Sequence, residues 1–193
     1  MRVIAGTRRR MRLFTPTTRA IKPTSDRLRE TIFNILMHSY GYNVVKNSRV
    51  LDLFAGTGAM GIEALSREAL SCLFVDNNSE ACTLIRANIQ RTHFEEQSQI
   101  WRRDATTLGR GTRVPSEKFD LVFVDPPYRK NLATMALLNL VRQDLLQEKA
   151  IAVVEEARDI ELNLPSQFEV LDTRNEGSGT VYVCAYSPVS DLI

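Results

Sequence analysis

The stretch Val50-Leu51-Asp52-Leu53-Phe54-Ala55-Gly56-Thr57-Gly58-Ala59-Met60-Gly61 decides the fold of this chain. A strand-sized run of mostly apolar residues leads into a glycine turn, and residues suited to a helix follow. Because Gly56 and Gly58 lack a Cβ, they can adopt unusual dihedral angles and allow a ligand to approach the backbone closely. The stretch therefore predicts a strand, a ligand-binding turn and a helix. The Gly-x-Gly-x-x-Gly spacing also matches the dinucleotide fingerprint, so this stretch alone leaves a nicotinamide enzyme open.

The alternation of strand and helix continues on the C-terminal side of the glycine turn. Such alternation is typical of βαβ units and a parallel sheet. Strands are predicted at residues 50–54, 72–75, 99–101, 119–124 and 151–154, and helices at 60–66, 80–91 and 132–146. Two further strands, at 168–171 and 180–186, flank the turn-rich segment 175–179 and predict an antiparallel hairpin. We expect one doubly wound α/β domain with a mostly parallel seven-stranded sheet and an antiparallel C-terminal hairpin strand.

Three aspartates lie within or just beyond the first three predicted strands. Asp76 ends the second strand 18 residues beyond Gly58, where its carboxylate can accept hydrogen bonds from both hydroxyls of a ribose. Asp52 lies before the glycines, where it either orders the loop or contacts the amino acid part of a cofactor. Asp104 follows the third strand and is a candidate partner for an adenine amino group. These carboxylates predict a site for an adenosine-containing cofactor.

A second motif, Asp125-Pro126-Pro127-Tyr128, follows the apolar strand at 119–124. In open α/β folds, ligands bind at this carboxyl edge of the sheet. The prolines fix φ near −65° and donate no backbone hydrogen bond, so the segment is stiff and its carbonyls point in set directions. The structural alternative is a tight turn that merely ends the strand and packs the tyrosine.

The segment Asp125-Pro126-Pro127-Tyr128, which we call the acceptor corner, suits methyl transfer to a planar amino group on a base. The nitrogen is a poor nucleophile because its lone pair is delocalised into the ring. Asp125 and the Pro126 carbonyl can each accept one N–H, which positions the nitrogen and favours the developing positive charge. Tyr128 offers a face on which the base can stack. We therefore expect the four residues of the motif, Asp125, Pro126, Pro127 and Tyr128, to form the catalytic site.

The N-terminus carries a charge that the net value of +2 conceals. The first 22 residues hold seven bases and no acid, whereas the remainder holds 18 bases and 23 acids. Residues 2–22 read as a basic hairpin, and Thr24 or Ser25 can cap a helix that ends near Gly41. Clustered arginine suits a polyanion such as RNA, although a solvated terminus is the alternative. We predict an RNA-binding extension at 1–40 and a catalytic domain at 41–193; the candidate RNA-binding residues are Arg8, Arg9, Arg10, Arg12, Lys22 and Arg27.

Composition excludes several classes of protein. With 193 residues and 44% hydrophobic residues, the chain can form one globular core. No apolar run approaches the roughly 18 residues of a membrane span, and no apolar run follows the N-terminal arginines as it would in a secretory signal. We therefore expect a cytoplasmic protein. The three scattered cysteines favour neither a disulfide framework nor a zinc site, and no other metal site is expected.

With both motifs considered, the chain resembles the bacterial family of 16S ribosomal RNA guanine-N2 methyltransferases known by the letter D. The resemblance runs nearly end to end and includes residues 2–6, 22–30, 51–61, 74–78 and 119–128. It implies a Rossmann-like class I S-adenosylmethionine-dependent methyltransferase fold, S-adenosylmethionine as cofactor, and a guanine of small-subunit ribosomal RNA in an assembled or assembling 30S particle. The resemblance also implies that the basic N-terminal segment is ordered over the active site by Arg27, Arg29 and Glu30. Lys22 stands where the family more often has arginine, so the positive charge is kept but the bidentate fork is lost. The implied cofactor-binding residues are Asp52, Phe54, Ala55, Gly56, Thr57, Gly58, Asp76, Asn77 and Asp104.

Three alternatives are consistent with part of the sequence. A nicotinamide oxidoreductase would use the glycine loop but not the Asp-Pro-Pro-Tyr motif. A non-enzymatic RNA-binding ribosome assembly factor would need only the basic arm, and the complete set of motif residues argues against it. An adenine-N6 methyltransferase acting on DNA or RNA would use the same acceptor corner, because the corner itself does not distinguish the purines.

Overall fold

The computed structural model describes residues 1–16, 25–39, 43–108 and 117–188. Its centre is a seven-stranded sheet with the strand order β3-β2-β1-β4-β5-β7-β6. The first five strands run parallel, and β7 lies antiparallel between β5 and β6. The strands are β1 (Arg49–Leu53), β2 (Ser71–Asp76), β3 (Ser98–Arg102), β4 (Phe119–Val124), β5 (Leu146–Ala157), β6 (Phe168–Glu176) and β7 (Gly179–Tyr186).

Within the described residues, four α-helices cover the two faces of the sheet. They are α1 (Asp26–His38), α2 (Ala59–Ser66), α3 (Ser79–Thr92) and α4 (Leu132–Arg142). One apolar cluster joins α1, α2 and α3 to the face that carries Phe74 and Phe123. The other cluster joins α4 to the face that carries Val75 and Val124. The fold is therefore a three-layer α/β sandwich, as the strand–helix alternation predicts.

Helix α1 begins where the sequence supplies a cap. The Ser25 hydroxyl accepts a hydrogen bond from the Leu28 amide at 3.1 Å, which satisfies one of the free donors at the helix start. Leu28, Ile32 and Leu36 then recur on the buried face. Ser25, one of the two expected caps, is confirmed; Thr24, the other, lies outside the described residues. The helix ends at His38, three residues before Gly41, which also lies outside them.

The N-terminal arm, residues 1–14, forms a hairpin within the expected range of 2–22 and docks against α2; residues 17–22 of that range lie outside the described residues. Arg2 and Arg12 form an antiparallel bridge, and the Val3 amide donates to the Met11 carbonyl at 2.9 Å. The buried carboxylate of Glu63 accepts the Ile4 and Ala5 amides at 2.7 and 3.0 Å. Arm and domain thus share one core, to which Val3 and Leu13 contribute. The predicted division at residues 40 and 41 lies outside the described residues and stays a prediction.

The sequence prediction was wrong at the end of α4. The apolar residues Leu145 and Leu146 continue a helical spacing, and the helix was expected to reach residue 146. It ends at Arg142, because Asp144 adopts a φ of +52° and Leu146 already opens β5. β5 is correspondingly longer than the four residues expected, and so is β6.

Neither a membrane span nor a metal cluster is found in the described part of the chain. None of its helices combines the length and apolarity that a bilayer crossing requires. The same residues contain no group of three or more His, Cys, Asp or Glu side chains that could hold a metal ion. Cys72, Cys82 and Cys184 are free and buried.

Candidate active site

The candidate site lies at the carboxyl edge of the parallel strands. Leu53 of β1 pairs in register with Val75 of β2 and Val124 of β4. The residues one position further along, Asp76, Phe54 and Asp125, therefore follow three neighbouring strands at one level. Adjacent strands are about 4.8 Å apart, so side chains from this row can act on one ligand.

The glycine loop is a tight left-handed turn. Phe54, Gly56 and Gly58 have φ values of +57°, +54° and +74°. The Gly58 amide donates to the Ala55 carbonyl at 2.7 Å, and a Cβ on Gly58 would lie 3.3 Å from Ile85. Phe54, Ala55 and Gly56 are partly exposed, whereas Thr57 and Gly58 are buried. The loop thus presents its first half to the edge of the sheet.

Asp52 braces this loop from below. The side chain is 3% exposed, and its Oδ2 accepts the Gly61 amide at 2.9 Å. Burial raises the pKa of Asp52 from 3.8 to about 8; the Gly61 hydrogen bond opposes this shift, and the charges of Asp125 and Asp76 add to it. Of the two roles that the sequence left open, the structure places Asp52 in the loop-ordering role. Its contact with a cofactor stays a prediction.

Asp76 connects the glycine loop to the next helix. Its Oδ2 accepts the Gly56 amide at 2.9 Å, and its Oδ1 accepts the Asn78 amide at 2.8 Å. Each carboxylate oxygen has two lone-pair sites, so both oxygens keep capacity for a ligand hydroxyl. The neighbouring Asn77 is exposed. The site prediction for Asp76 and Asn77 is consistent with this placement but is not tested by it.

Asp104 lies beyond β3 on the same edge. It is exposed, and its Oδ1 accepts hydrogen bonds from the amide and the hydroxyl of Thr106 at 2.8 and 2.7 Å. The preceding amide, that of Arg103, donates to the Asp76 carbonyl at 3.0 Å. This bond fixes Asp104 relative to Asp76, as a shared nucleoside site would require.

The acceptor corner follows β4 beside the glycine loop. Asp125 is partly exposed, Pro126 is buried and Pro127 is exposed. Phe123, two residues earlier on β4, belongs to the apolar cluster on the side of α1, α2 and α3. Since side chains alternate along a strand, Asp125 is expected on this side, which is also the side of Asp52. The catalytic role of Asp125, Pro126, Pro127 and Tyr128 stays a prediction.

Two glutamates of β5 hold the corner, and the sequence did not reveal either role. The Tyr128 hydroxyl donates to Glu155 Oε1, and the Arg129 amide donates to Glu156 Oε1 at 3.1 Å. Burial and the Glu155 hydrogen bond raise the pKa of Tyr128. A Cβ on Gly179 would lie 2.6 Å from the Tyr128 hydroxyl, so this glycine leaves room for the ring. In the sequence, the turn-rich composition of residues 175–179 indicated a turn at Gly179 but not its contact with Tyr128.

A buried amide, Asn88 of α3, connects the arm to the glycine loop. Its Oδ1 accepts the Phe14 amide at 2.7 Å, and its Nδ2 donates to the Phe14 carbonyl at 3.1 Å. The same Nδ2 donates to the Thr57 carbonyl at 2.9 Å. Because Asn88 is fully buried, these bonds fix the end of the arm at the base of the glycine loop.

The candidate RNA-binding residues fall into two groups. Arg8 is partly buried: its Nε donates to the Thr92 carbonyl at 2.8 Å, and its guanidinium lies 5.4 Å from the Phe94 ring centroid. It therefore docks the arm. Arg27 is 85% exposed, with Glu176 Oε1 at 4.0 Å. Arg9, Arg10 and Arg12 are exposed, and Lys22 lies outside the described residues.

A buried cation, Arg29, donates to the Arg2 carbonyl at 2.6 Å and so orders the arm as expected.

Comparison with known proteins gives consistent matches. A profile of the family described as Conserved hypothetical protein 95 matches residues 1–185. Ribosomal RNA small subunit methyltransferase D of Haemophilus influenzae is 32% identical over 180 residues, 92% of this chain and 89% of that relative. The solved structure of yhhF from Escherichia coli superimposes with a TM-score of 0.81 at 26% identity, covering 97% of this chain and 98% of that one.

A more distant structural match agrees on the fold. An RNA methyltransferase from Salinibacter ruber, solved with S-adenosyl-L-homocysteine, superimposes with a TM-score of 0.65 at 13% identity, covering 89% of this chain and 98% of that one. The expected fold is thereby confirmed: this chain has the Rossmann-like fold of the S-adenosylmethionine-dependent methyltransferases.

Proposed function

The chain belongs to the Conserved hypothetical protein 95 family, and from that premise we propose that it methylates the exocyclic N2 of a guanine in small-subunit ribosomal RNA with S-adenosylmethionine. A relative named ribosomal RNA small subunit methyltransferase D, 32% identical over 92% of this chain, supports ribosomal RNA as the substrate class. The observation that carries the proposal is the placement of the acceptor corner beside the glycine turn, on neighbouring strands.

The residues at the edge of β1, β2 and β3 fit S-adenosylmethionine. Asp76 and Asp104 would supply acceptors for a ribose and for an adenine amino group, and the partly exposed first half of the glycine loop directly follows β1. Phe54 offers an aromatic side chain that a cationic sulfonium tolerates. When bound, the cofactor supplies an electrophilic methyl group. The product is S-adenosylhomocysteine.

The acceptor corner positions the amino group of the target base. The Asp125 carboxylate and the Pro126 carbonyl would each accept one N–H, which fixes the nitrogen and stabilises the positive charge that develops on it. The methylated nitrogen is strongly acidic and loses a proton to Asp125 or to water. Tyr128 provides a face for stacking, worth about 1 to 3 kcal/mol for a base on an aromatic ring.

The arm supplies the positive charge that an RNA substrate needs. Arg9, Arg10 and Arg12 are exposed on the docked hairpin, and Arg27 is exposed at the start of α1. Each phosphate neutralised releases counterions, so binding should be salt-sensitive. An unpaired base in an assembled or assembling 30S particle is the favoured target, because a paired base must first be extruded. Such a particle would be encountered in the cytoplasm.

Nucleoside mass spectrometry tests the proposal directly. Ribosomal RNA is incubated with the enzyme and labelled S-adenosylmethionine, then digested to nucleosides. We expect labelled N2-methylguanosine. Labelled N6-methyladenosine would establish the adenine alternative, and no labelled nucleoside from naked RNA or 30S particles would contradict the proposal.

The role of Asp125 is tested by Asp125→Ala. We expect loss of turnover with cofactor affinity retained, because the acceptor corner acts on the base. Asp120→Ala is a control at the opposite end of the same strand, where the Asp120 carboxylate accepts a hydrogen bond from the Arg49 amide at 2.8 Å. Calorimetry that shows lost cofactor binding in Asp125→Ala would reassign Asp125 to the cofactor site.

A further inference from the structure

Glu155 lies next to the acceptor corner, at the level of Asp125. Val124 of β4 pairs in register with Val154 of β5, so Asp125 and Glu155 each follow one member of this pair. Neighbouring strands are about 4.8 Å apart. Side chains alternate between the faces of a strand, and Val153 belongs to the apolar cluster on the α1 side. Glu155 therefore projects to the same side, which is also the side of Asp52 and the glycine loop.

The structure holds the Glu155 carboxylate in a set position. Its Oε1 accepts the Tyr128 hydroxyl, and Gly179 lies against both groups without a side chain. Glu155 is only partly exposed. A carboxylate has about four lone-pair sites on its two oxygens, so one tyrosine hydroxyl leaves most of its acceptor capacity for a ligand. The pair thus presents an oriented acceptor beside the corner that would hold the target amino group.

The chemistry of the bases decides what such an acceptor can recognise. The N2 amino group of guanine is adjacent to N1–H, a ring donor. The N6 amino group of adenine is adjacent to N1 without a proton, and the N4 amino group of cytosine is adjacent to N3, again without a proton. Both of those neighbours carry a lone pair, which a carboxylate repels. An acceptor beside the corner therefore matches guanine alone among the amino bases of RNA.

We propose that Glu155 selects guanine by accepting a hydrogen bond from N1–H while Asp125 and Pro126 hold the N2 amino group. The inference rests on the proposed function, which it deepens by assigning base selection to a residue outside the Asp-Pro-Pro-Tyr motif. A site that hydrogen-bonds a substrate N–H strongly rejects an analogue that lacks it, because a buried acceptor is then unpaired. The Tyr128 hydroxyl fixes the direction in which Glu155 offers its oxygens.

The test compares two RNAs that differ at the target position. One carries guanine, and the other carries 2-aminopurine, which keeps the N2 amino group but has an unprotonated N1. For wild-type enzyme we expect kcat/KM to favour guanine by about 10- to 100-fold, the range for a hydrogen bond to a charged group. In Glu155→Gln, the new amide can donate to an unprotonated N1, so the preference should fall by at least about tenfold.

Two controls separate base selection from a general structural effect. Glu148→Gln makes the same change at the opposite end of β5, where Glu148 is exposed, and should keep the wild-type preference. Glu155→Asp keeps the charge but shortens the side chain, so it should lower kcat/KM on guanine and still disfavour 2-aminopurine. Thermal unfolding establishes that each variant is folded.

Each outcome has a defined meaning. A wild-type enzyme that uses both RNAs equally would overturn the inference without recourse to any variant, as would an unchanged preference in folded Glu155→Gln. A wild-type enzyme that labels neither RNA, and no other guanine N2, would contradict the proposed function itself. Retained guanine preference in wild type, lost in Glu155→Gln and kept in Glu148→Gln, is the result we expect.

Discussion

Replacing Asn88 with alanine tests whether the arm and the glycine loop are held by one side chain. The substitution removes three hydrogen bonds, to the Phe14 amide, the Phe14 carbonyl and the Thr57 carbonyl. Each is worth about 1 kcal/mol net, and each buried group left unpaired adds to the loss. We expect Asn88→Ala to lower the free energy of unfolding by about 3 to 5 kcal/mol, a large fraction of a typical domain's stability.

Urea denaturation with cofactor titration measures both consequences. The control is Gln90→Ala on the same helix, since Gln90 is an exposed amide and should cost less than about 0.5 kcal/mol. Because the Thr57 carbonyl anchors the glycine loop, folded Asn88→Ala should also bind S-adenosylmethionine more weakly than the control. A loss below about 1 kcal/mol with unchanged cofactor affinity would refute the connection.

Three further predictions concern charge, space and the arm. The pKa of Asp52 is raised to about 8, so the native state holds a proton there that the unfolded chain releases near pH 3.8; the stability from this group therefore falls as pH rises between these values. Urea titrations should show Asp52→Asn gaining about 4 kcal/mol relative to wild type between pH 5 and pH 8, and a pH-independent difference would contradict the assignment. Gly179→Ala places a Cβ 2.6 Å from the Tyr128 hydroxyl and should lower kcat at least about tenfold. The control Gly177→Ala, whose Cβ would have no atom within 4 Å, should lower only the free energy of unfolding, by about 1 kcal/mol of backbone strain. Equal kcat in the two variants would argue against the spatial constraint at Gly179. The last prediction replaces the three exposed arginines of the arm, Arg9, Arg10 and Arg12, with glutamine. In filter-binding assays with RNA, the slope of log affinity against log salt concentration should fall in magnitude by about 2 to 3. An unchanged slope would show that the arm does not contact the RNA.

The sequence predicted the parts of the site that depend on local pattern. Each of these parts is a short motif of adjacent residues at the end of a strand, so it can be located from strand and turn patterns alone. They are the glycine turn, Asp76 at the end of β2 and the Asp-Pro-Pro-Tyr segment after β4. Their grouping follows because parallel strands end at one edge of the sheet. This much of the site needs no knowledge of long-range packing.

The residues that sequence reasoning missed act through long-range contacts. Glu63 accepts a hydrogen bond from the Ile4 amide, 59 positions away in the chain, and Asn88 accepts one from the Phe14 amide, 74 positions away. No periodicity or motif distinguishes such residues from other polar side chains on a helix. Glu155 directly follows the predicted strand at 151–154, and the sequence assigns it no role, since its partner, Tyr128, lies 27 positions away.

Charge pattern likewise could not separate the arginines of the arm. The run at residues 8–10 predicts one basic surface, yet Arg8 turns inward to the Thr92 carbonyl and the Phe94 ring. The direction of each side chain depends on how the hairpin docks on α2 and α3. Deleting the arm would therefore remove core residues as well as charge, and substituting the exposed arginines isolates the electrostatic effect.

The contact between Gly6 and Ser66 bears on how this protein can be recombined. A Cβ on Gly6 would lie 1.7 Å from the Ser66 carbonyl oxygen, and the Ser66 hydroxyl donates to the Ala5 carbonyl at 2.6 Å. A chimera that received its first fourteen residues from another enzyme would accept them only with a matching second helix. The arm and α2 would therefore have to be exchanged together in such hybrids, because an arm that does not dock on α2 would leave the buried Glu63 carboxylate without the Ile4 and Ala5 amides.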